Sequence, residues 1–347
     1  MNKIFVVFYH KIIPEKIGSD WGFNVAMKTF DKELKVLKES FNIITLDDVY
    51  EYLTTGKQLN KTSVAISFDD GYADNFIYAY PLLKKHGLKA AIFPITSRII
   101  KTEKIRPTLK EYWDGKISLE KLQRPVEIAD ANHEYLLNGY SEDFLTLSEL
   151  NKMKDVFEIG GHTSTHMKVF SEDRIIDFFD GKNGHWSNMH AYEEMPVVGF
   201  PLFPDRGDMS VRRGFLRKDV KDFIKSIDNS FFEKQNWKEE LKIILEKQFT
   251  SYLDFESKGE REIRVNKELG NSKNELKEML GMEVQHFSYP FGHYDETLID
   301  IASKYFCSSY TVKSGIIKKG DNMQKLPRLA ILNGFSSFFT AITEIVK

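Results

Sequence analysis

Apolar and polar positions follow two alternating periods through the first hundred residues. Ile4–Tyr9 is an unbroken apolar run, the pattern of a strand covered on both faces. Behind Thr29, apolar residues fall at Phe30, Leu34, Leu37 and Phe41. That spacing predicts a helix with Thr29 as its N-cap. Ile43–Thr45 reads as a short extended piece and Leu46–Leu53 as a helix stopped near Gly56. Val64–Phe68 reads as a strand, Asn75–His86 as a helix ended by Gly87, and Ala90–Ile95 as the next strand. Strands alternating with helices predict an α/β fold on a parallel sheet, open or closed into a barrel.

The pattern blurs from Arg98 through Asn138, which reads as an inserted and mostly helical excursion. It returns with a helix at Thr146–Lys154 and a strand at Phe157–Ile159. Residues 172–260 open on turn-rich, aromatic sequence and continue with Leu241, Ile244, Leu245 and Phe249 at helical spacing. A segment this long is more than a connector and reads as an inserted, largely helical subdomain. A helix at Asn271–Leu280, a strand at Val284–Tyr289, a helix at Asp295–Lys304 and strands at Tyr305–Tyr310 and Leu326–Leu332 complete the chain. The expected organisation is one domain over residues 1–347 with insertions at about 99–143 and 172–260.

Composition narrows the class of protein. The 347 residues are 41% hydrophobic and 29% charged, with a net charge of −2. That is an ordinary globular balance, and no basic field points to nucleic acid or an anionic membrane. Cys307 is the only cysteine, so no intrachain disulfide forms. The N-terminal apolar run is shorter than a secretory core and lacks a small-residue cleavage site. No stretch approaches a membrane span. These features predict a cytoplasmic protein, peripherally associated with a membrane if its substrate is lipid-linked. Oligomeric state is not legible.

Three segments carry candidate chemistry. Asp69 and Asp70 end an apolar run and precede Gly71. Neighbouring strand residues point apart, and a turn at the glycine lets one carboxylate meet a cation while the other handles a proton. His162 and His166 follow a strand and two glycines. Two histidines four apart meet on one face of a helical turn and suit one divalent metal. Both segments sit at C-terminal strand ends, where α/β folds build their sites. One aspartate with two histidines leaves coordination positions open, the arrangement of a catalytic metal. Zinc suits this donor set, with cobalt, nickel or manganese as alternatives. The third segment, Phe287–Asp295, is an aromatic turn containing Tyr289, Pro290, Phe291 and Gly292. Its N–H groups suit a developing oxyanion and its rings suit sugar faces.

Together, Ser67-Phe68-Asp69-Asp70-Gly71-Tyr72, His162-Thr163-Ser164-Thr165-His166 and Phe287–Gly292 resemble the polysaccharide deacetylase superfamily, carbohydrate esterase family 4, with its nodulation-type deacetylase domain. Phe8-Tyr9-His10-Lys11-Ile12, Ile44–Asp48 and Pro81–Gly87 are similar to the branch holding bacterial poly-N-acetylglucosamine deacetylases. The resemblance implies a distorted (β/α) barrel that removes N-acetyl groups from amino-sugar glycans, so an N-acetylated sugar or glycan is the expected partner. It implies Asp69 as base and Asp70, His162 and His166 as metal ligands. The N–H near Phe291 would then hold the oxyanion, with Tyr72 and Tyr289 lining the site. A surface-polysaccharide or O-antigen biosynthetic role is the associated expectation. O-deacetylation, or sugar binding with weak catalysis, are the alternatives.

Two departures stand out. Many family members carry an arginine, which orients the base, where this chain has Ser288. Many also end on a Leu-x-His motif whose histidine protonates the leaving amine, whereas Leu326–Ile331 has none. In the permuted branch the equivalent histidine lies on the first strand, which nominates His10. Arg206 and Arg212, in the insertion, are candidates for substrate binding and for the missing orienting arginine.

Overall fold

The computed structural model describes residues 3–15, 22–57, 59 and 61–346. Contacts divide the chain into two compact units. One comprises residues up to Thr165, Glu268–Gly292 and the chain from Ala302; the other comprises His166–Lys267 and His293–Ile301.

In the first unit, β1 (Ile4–Tyr9), β2 (Ser63–Asp70), β3 (Ala90–Pro94) and β4 (Phe157–Ile159) lie side by side, each pair parallel. β5 (His286–Ser288) pairs with β6 (Ser308–Tyr310), and β7 (Leu329–Ala330) pairs with β1, also in parallel. Parallel bridges from Gly161 to Phe287 and from Tyr310 to Leu326 join β4 to β5 and β6 to the segment entering β7. These single bridges, in place of full ladders, link the larger parallel sheet to the β5–β6 pair and that pair to the segment entering β7. All eight residues of β2 are buried, as expected of a parallel strand covered on both faces. Its register sets Asp69 beside Phe93 and Asp70 beside Pro94, bringing both carboxylates to the C-terminal edge.

Local signals account for the helices around this sheet. Helix α1 (Met27–Ser40) is capped at Ala26, not Thr29, because the short strand Asn24–Ala26 runs directly into it. In α2 (Leu46–Thr55), Thr45 and Asp48 form a capping box, and Gly56 closes the helix at φ 74°, where a Cβ would be strained. A π-helical turn at Asn75–Ala79 leads into α3 (Tyr80–His86). Thr146 and Glu149 form a second capping box on α4 (Leu147–Met153). The excursion after Arg98 contains helices Leu109–Trp113 and Ile128–Asn138. Helix α5 (Lys258–Leu280) starts well before Asn271, since its charged first turns hide the apolar stripe.

The second unit has its own core, including Phe170, Tyr192, Phe200, Leu216, Val220, Leu241 and Leu245. Helices Lys218–Lys225 and Trp237–Gln248 accompany an antiparallel sheet ordered Asp205–Gly207, Lys168–Phe170, Gly214–Leu216, Leu253–Phe255. Strands of three residues are too short to show a period, so the sequence pattern announced only the helices.

Candidate active site

The end of β2 is built on unusual backbone. Asp70 has φ 72° and Gly71 φ 77°, so two successive left-handed residues turn the chain and separate the side chains of Asp69 and Asp70. A Cβ on Gly71 would stand 2.8 Å from the Pro94 Cβ. Among the described residues other than glycine, positive φ occurs at Asp70, Thr163, His166, Phe291 and Glu193. Four of those five lie in the three motif segments. Each such residue costs on the order of 1–3 kcal/mol, a cost that concentrates at functional sites.

The histidine segment is fixed by long-range contacts. Gly161 exchanges backbone hydrogen bonds with β5, its N–H donating to His286 and its carbonyl accepting from Ser288, each at 2.9 Å. Glu268, on α5, accepts the N–H groups of Ser164 and Thr165 and the Thr165 hydroxyl, each at 3.0 Å. The His162 Nδ1 lies 2.7 Å from the Ser288 carbonyl. A carbonyl only accepts, so Nδ1 carries a proton and Nε2 is the ring nitrogen left to ligate a metal. That Nε2 faces Asp70 Oδ1 at 3.2 Å. Both atoms are of the kind that can ligate one divalent cation. With His166 the ligand atoms of all three residues lie within 4.8 Å of one another. The two-nitrogen, one-oxygen set fits a divalent ion of the zinc type.

Asp69 has a different partner. Arg328, fully buried on the segment entering β7, grips it bidentately: Nη1 donates to Oδ1 at 2.8 Å and Nη2 to Oδ2 at 2.7 Å. The remaining guanidinium hydrogens reach Ser67 Oγ, Ser288 Oγ and the Thr311 carbonyl. Burial by itself raises the Asp69 pKa, but the charge and hydrogen bonds of Arg328, helped by His162 and His10, reverse this and lower it. Asp69 is therefore a charged carboxylate at neutral pH.

This corrects the sequence reading on the arginine. Arg328 holds Asp69 from the late segment Leu326–Ile331, which carries no histidine, while Ser288 accepts from Arg328 at 2.8 Å. Arg212 instead donates to the Glu256 carbonyl, and Arg206 is exposed on its own strand. Two tyrosines also differ from expectation. Tyr72 is wholly buried, stacked on Phe144 with 5.2 Å between centroids. Its hydroxyl accepts from Asn132 at 3.2 Å and bonds to Asp70, so it supports a carboxylate and does not line open space. Tyr289 is buried too, its hydroxyl committed to the Gln324 carbonyl at 2.8 Å. Phe291 sits at φ 57° in the tight turn Pro290–Gly292.

His10 follows β1 and is partly buried, its ring meeting Phe23 at 4.6 Å and Phe8 at 5.7 Å. Burial lowers its pKa, and the charges of Asp70 and Asp69 oppose that lowering without cancelling it. Arg328 and Glu268 were missed by reading the sequence. The available signal was Arg328 itself, an arginine within a late apolar strand, because a buried guanidinium demands an acid.

Comparisons with known proteins agree with this architecture. Residues 56–195 match the family model described as Polysaccharide deacetylase, a span that contains Asp69, Asp70, His162 and His166. The chain has the fold of the bacterial polysaccharide deacetylases. A curated relative, YxkH of Bacillus subtilis (strain 168), provisionally named a polysaccharide deacetylase, is 37% identical over 98 residues, or 28% of this chain. That match spans only about a third (33%) of the relative's length. A de-N-acetylase from Aggregatibacter actinomycetemcomitans is 17% identical with a TM-score of 0.61, covering 98% of this chain and 100% of that one. The BpsB deacetylase domain of Bordetella bronchiseptica is 13% identical with a TM-score of 0.56, over 95% and 96% of the two chains. IcaB from Ammonifex degensii is 16% identical with a TM-score of 0.55, over 99% and 97%. Among the described residues, no helix is long and apolar enough to cross a membrane.

Proposed function

We propose that this chain is a metal-dependent deacetylase that removes N-acetyl groups from an amino-sugar glycan or glycan precursor. The observation that carries the reading is the contrast between two neighbouring carboxylates. Asp70 faces His162 Nε2 and groups with His166 as a metal-type donor set, while Asp69 is neutralised by Arg328. Asp70, His162 and His166 would hold a divalent ion, whose positive charge would acidify water and polarise a carbonyl.

The chain's own groups divide the remaining work. Asp69, charged and oriented by the Arg328 fork, takes a proton at its carboxylate as water attacks the acetyl carbon. The N–H of Phe291, in its strained turn, faces the developing oxyanion. His10 gives a proton to the departing amine nitrogen. Its lowered pKa favours a second reading, O-acetyl ester hydrolysis, because an alkoxide needs that proton less than an amine does. Residues 1–347 then form one catalytic domain with insertions at about 99–143 and 172–260, acting in surface-polysaccharide or O-antigen biosynthesis.

The test is acetate release from N-acetylated nucleotide sugars, lipid-linked sugars and oligosaccharides, using zinc-loaded protein with Asp69→Asn as control. Release that stops in Asp69→Asn and after chelation is expected. Zinc-loaded protein that releases no acetate from any of these would overturn the assignment.

A further inference from the structure

The first unit carries a second group of ligating side chains, at the end of the sheet away from Asp70 and His162. Asp47 in the first turn of α2, Glu158 on β4 and His286 at the start of β5 each offer one ligand atom, all within 4.8 Å of one another. His286 is buried and held at both ring nitrogens, with Nδ1 2.8 Å from Ser308 Oγ and Nε2 3.0 Å from Asp47 Oδ1. Glu158 accepts the Leu46 N–H at 2.7 Å and the Asp47 N–H at 3.1 Å through separate oxygens. Each oxygen keeps a further lone pair. The Asp47 side chain is 61% exposed, so the group opens to solvent.

A helix cap plus an ion pair explains part of this arrangement but not Tyr310. That tyrosine is fully buried, and its ring meets His286 edge-on at 6.4 Å. Its hydroxyl lies beside Ser308 and within the field of Glu158 and Asp47, yet it makes no well-formed hydrogen bond. Buried hydroxyls are normally well satisfied, so this one, interacting with Ser308 in the field of both carboxylates, marks the group as more than a helix cap.

We propose that Asp47, Glu158 and His286 bind a second divalent cation. One nitrogen and two carboxylate donors suit zinc or manganese better than a purely oxygen-liganded ion. The ion ties α2, β4 and β5 together, three segments more than a hundred residues apart in sequence. Its role is structural, and it stabilises the folded unit by mass action.

The experiment strips the full chain with a chelator, dialyses it against Zn²⁺ alone and counts bound metal by mass spectrometry. Wild type is expected to hold two ions, Asp47→Asn one and His162→Ala one, and the double variant none. Zn²⁺ should raise the Tm of His162→Ala but leave that of His162→Ala/Asp47→Asn unmoved. Asp47→Asn should release acetate at the wild-type rate. Because Asp47 is exposed, this variant keeps the test sound if His286→Ala does not fold. A zinc stoichiometry that Asp47→Asn leaves unchanged overturns the proposal. A stoichiometry that only His162→Ala leaves unchanged removes the catalytic ion and spares this one.

Discussion

Replacing Arg328 with methionine removes the guanidinium that holds Asp69 while keeping much of its length. Its five N–H contacts run to Asp69, Ser67, Ser288 and Thr311. The pair is buried on both sides, at 0% and 4% exposure, so water does not replace the lost cation. Removing one partner of a buried pair costs about 3–5 kcal/mol. At about 2–4 °C per kcal/mol for a unit of this size, Tm should fall by roughly 6–20 °C. The chemical consequence follows from the sign of the pKa change. In the wild type the folded-state pKa of Asp69 is lowered, so its stability contribution is present at neutral pH and fades as pH falls through that lowered value. Without Arg328, burial dominates and the pKa rises. The carboxyl then favours the protonated form when folded, and stability falls as pH rises through the window between its unfolded and folded pKa values. The acid limb of kcat/KM should move to higher pH by the same logic. The assay pairs thermal melts across pH with kcat/KM profiles on zinc-loaded protein. Arg328→Lys, which keeps the charge but loses the planar fork, should recover more stability than turnover. An Arg328→Met protein with wild-type Tm and an unmoved acid limb would refute the reasoning.

Three further outcomes are expected. His10→Ala should keep its zinc, measured by mass spectrometry, yet lose about 10²–10⁴-fold in kcat on an N-acetyl substrate, with a smaller loss on an O-acetyl ester; normal turnover on the amide would remove His10 as the acid. Gly71→Ala puts a Cβ at φ 77° and 2.8 Å from Pro94, so urea unfolding should show a loss of at least about 1–3 kcal/mol. Glu33, buried beneath the Tyr9 hydroxyl at 3.1 Å, has a pKa raised by burial from 4.5 to about 8. The folded state therefore binds more protons across that window, and stability falls as pH rises through it. Glu33→Gln, which still accepts from Tyr9, should flatten the slope of unfolding free energy between pH 5 and 8.5; an unchanged slope counts against this.

The sequence by itself determined the local vocabulary of the site. Apolar runs marked β1 to β4, Gly56 and Gly87 closed α2 and α3, and Asp70, His162 and His166 were legible as candidate metal ligands beside Asp69 as a candidate base. Each of these is a property of a few consecutive residues, set by backbone sterics and by whether a strand or helix face meets water. Only the tertiary structure decided what those residues touch. Arg328 meets Asp69 across 259 positions, and Glu268 fixes Ser164 and Thr165 across more than a hundred. Such pairings depend on long-range contacts such as the Gly161 and Tyr310 bridges, not on local composition. The same holds for the three-residue strands of the second unit, which pairing alone makes into a sheet. A local pattern cannot name a partner brought in by the far end of the chain, and here that partner sets the charge and orientation of Asp69.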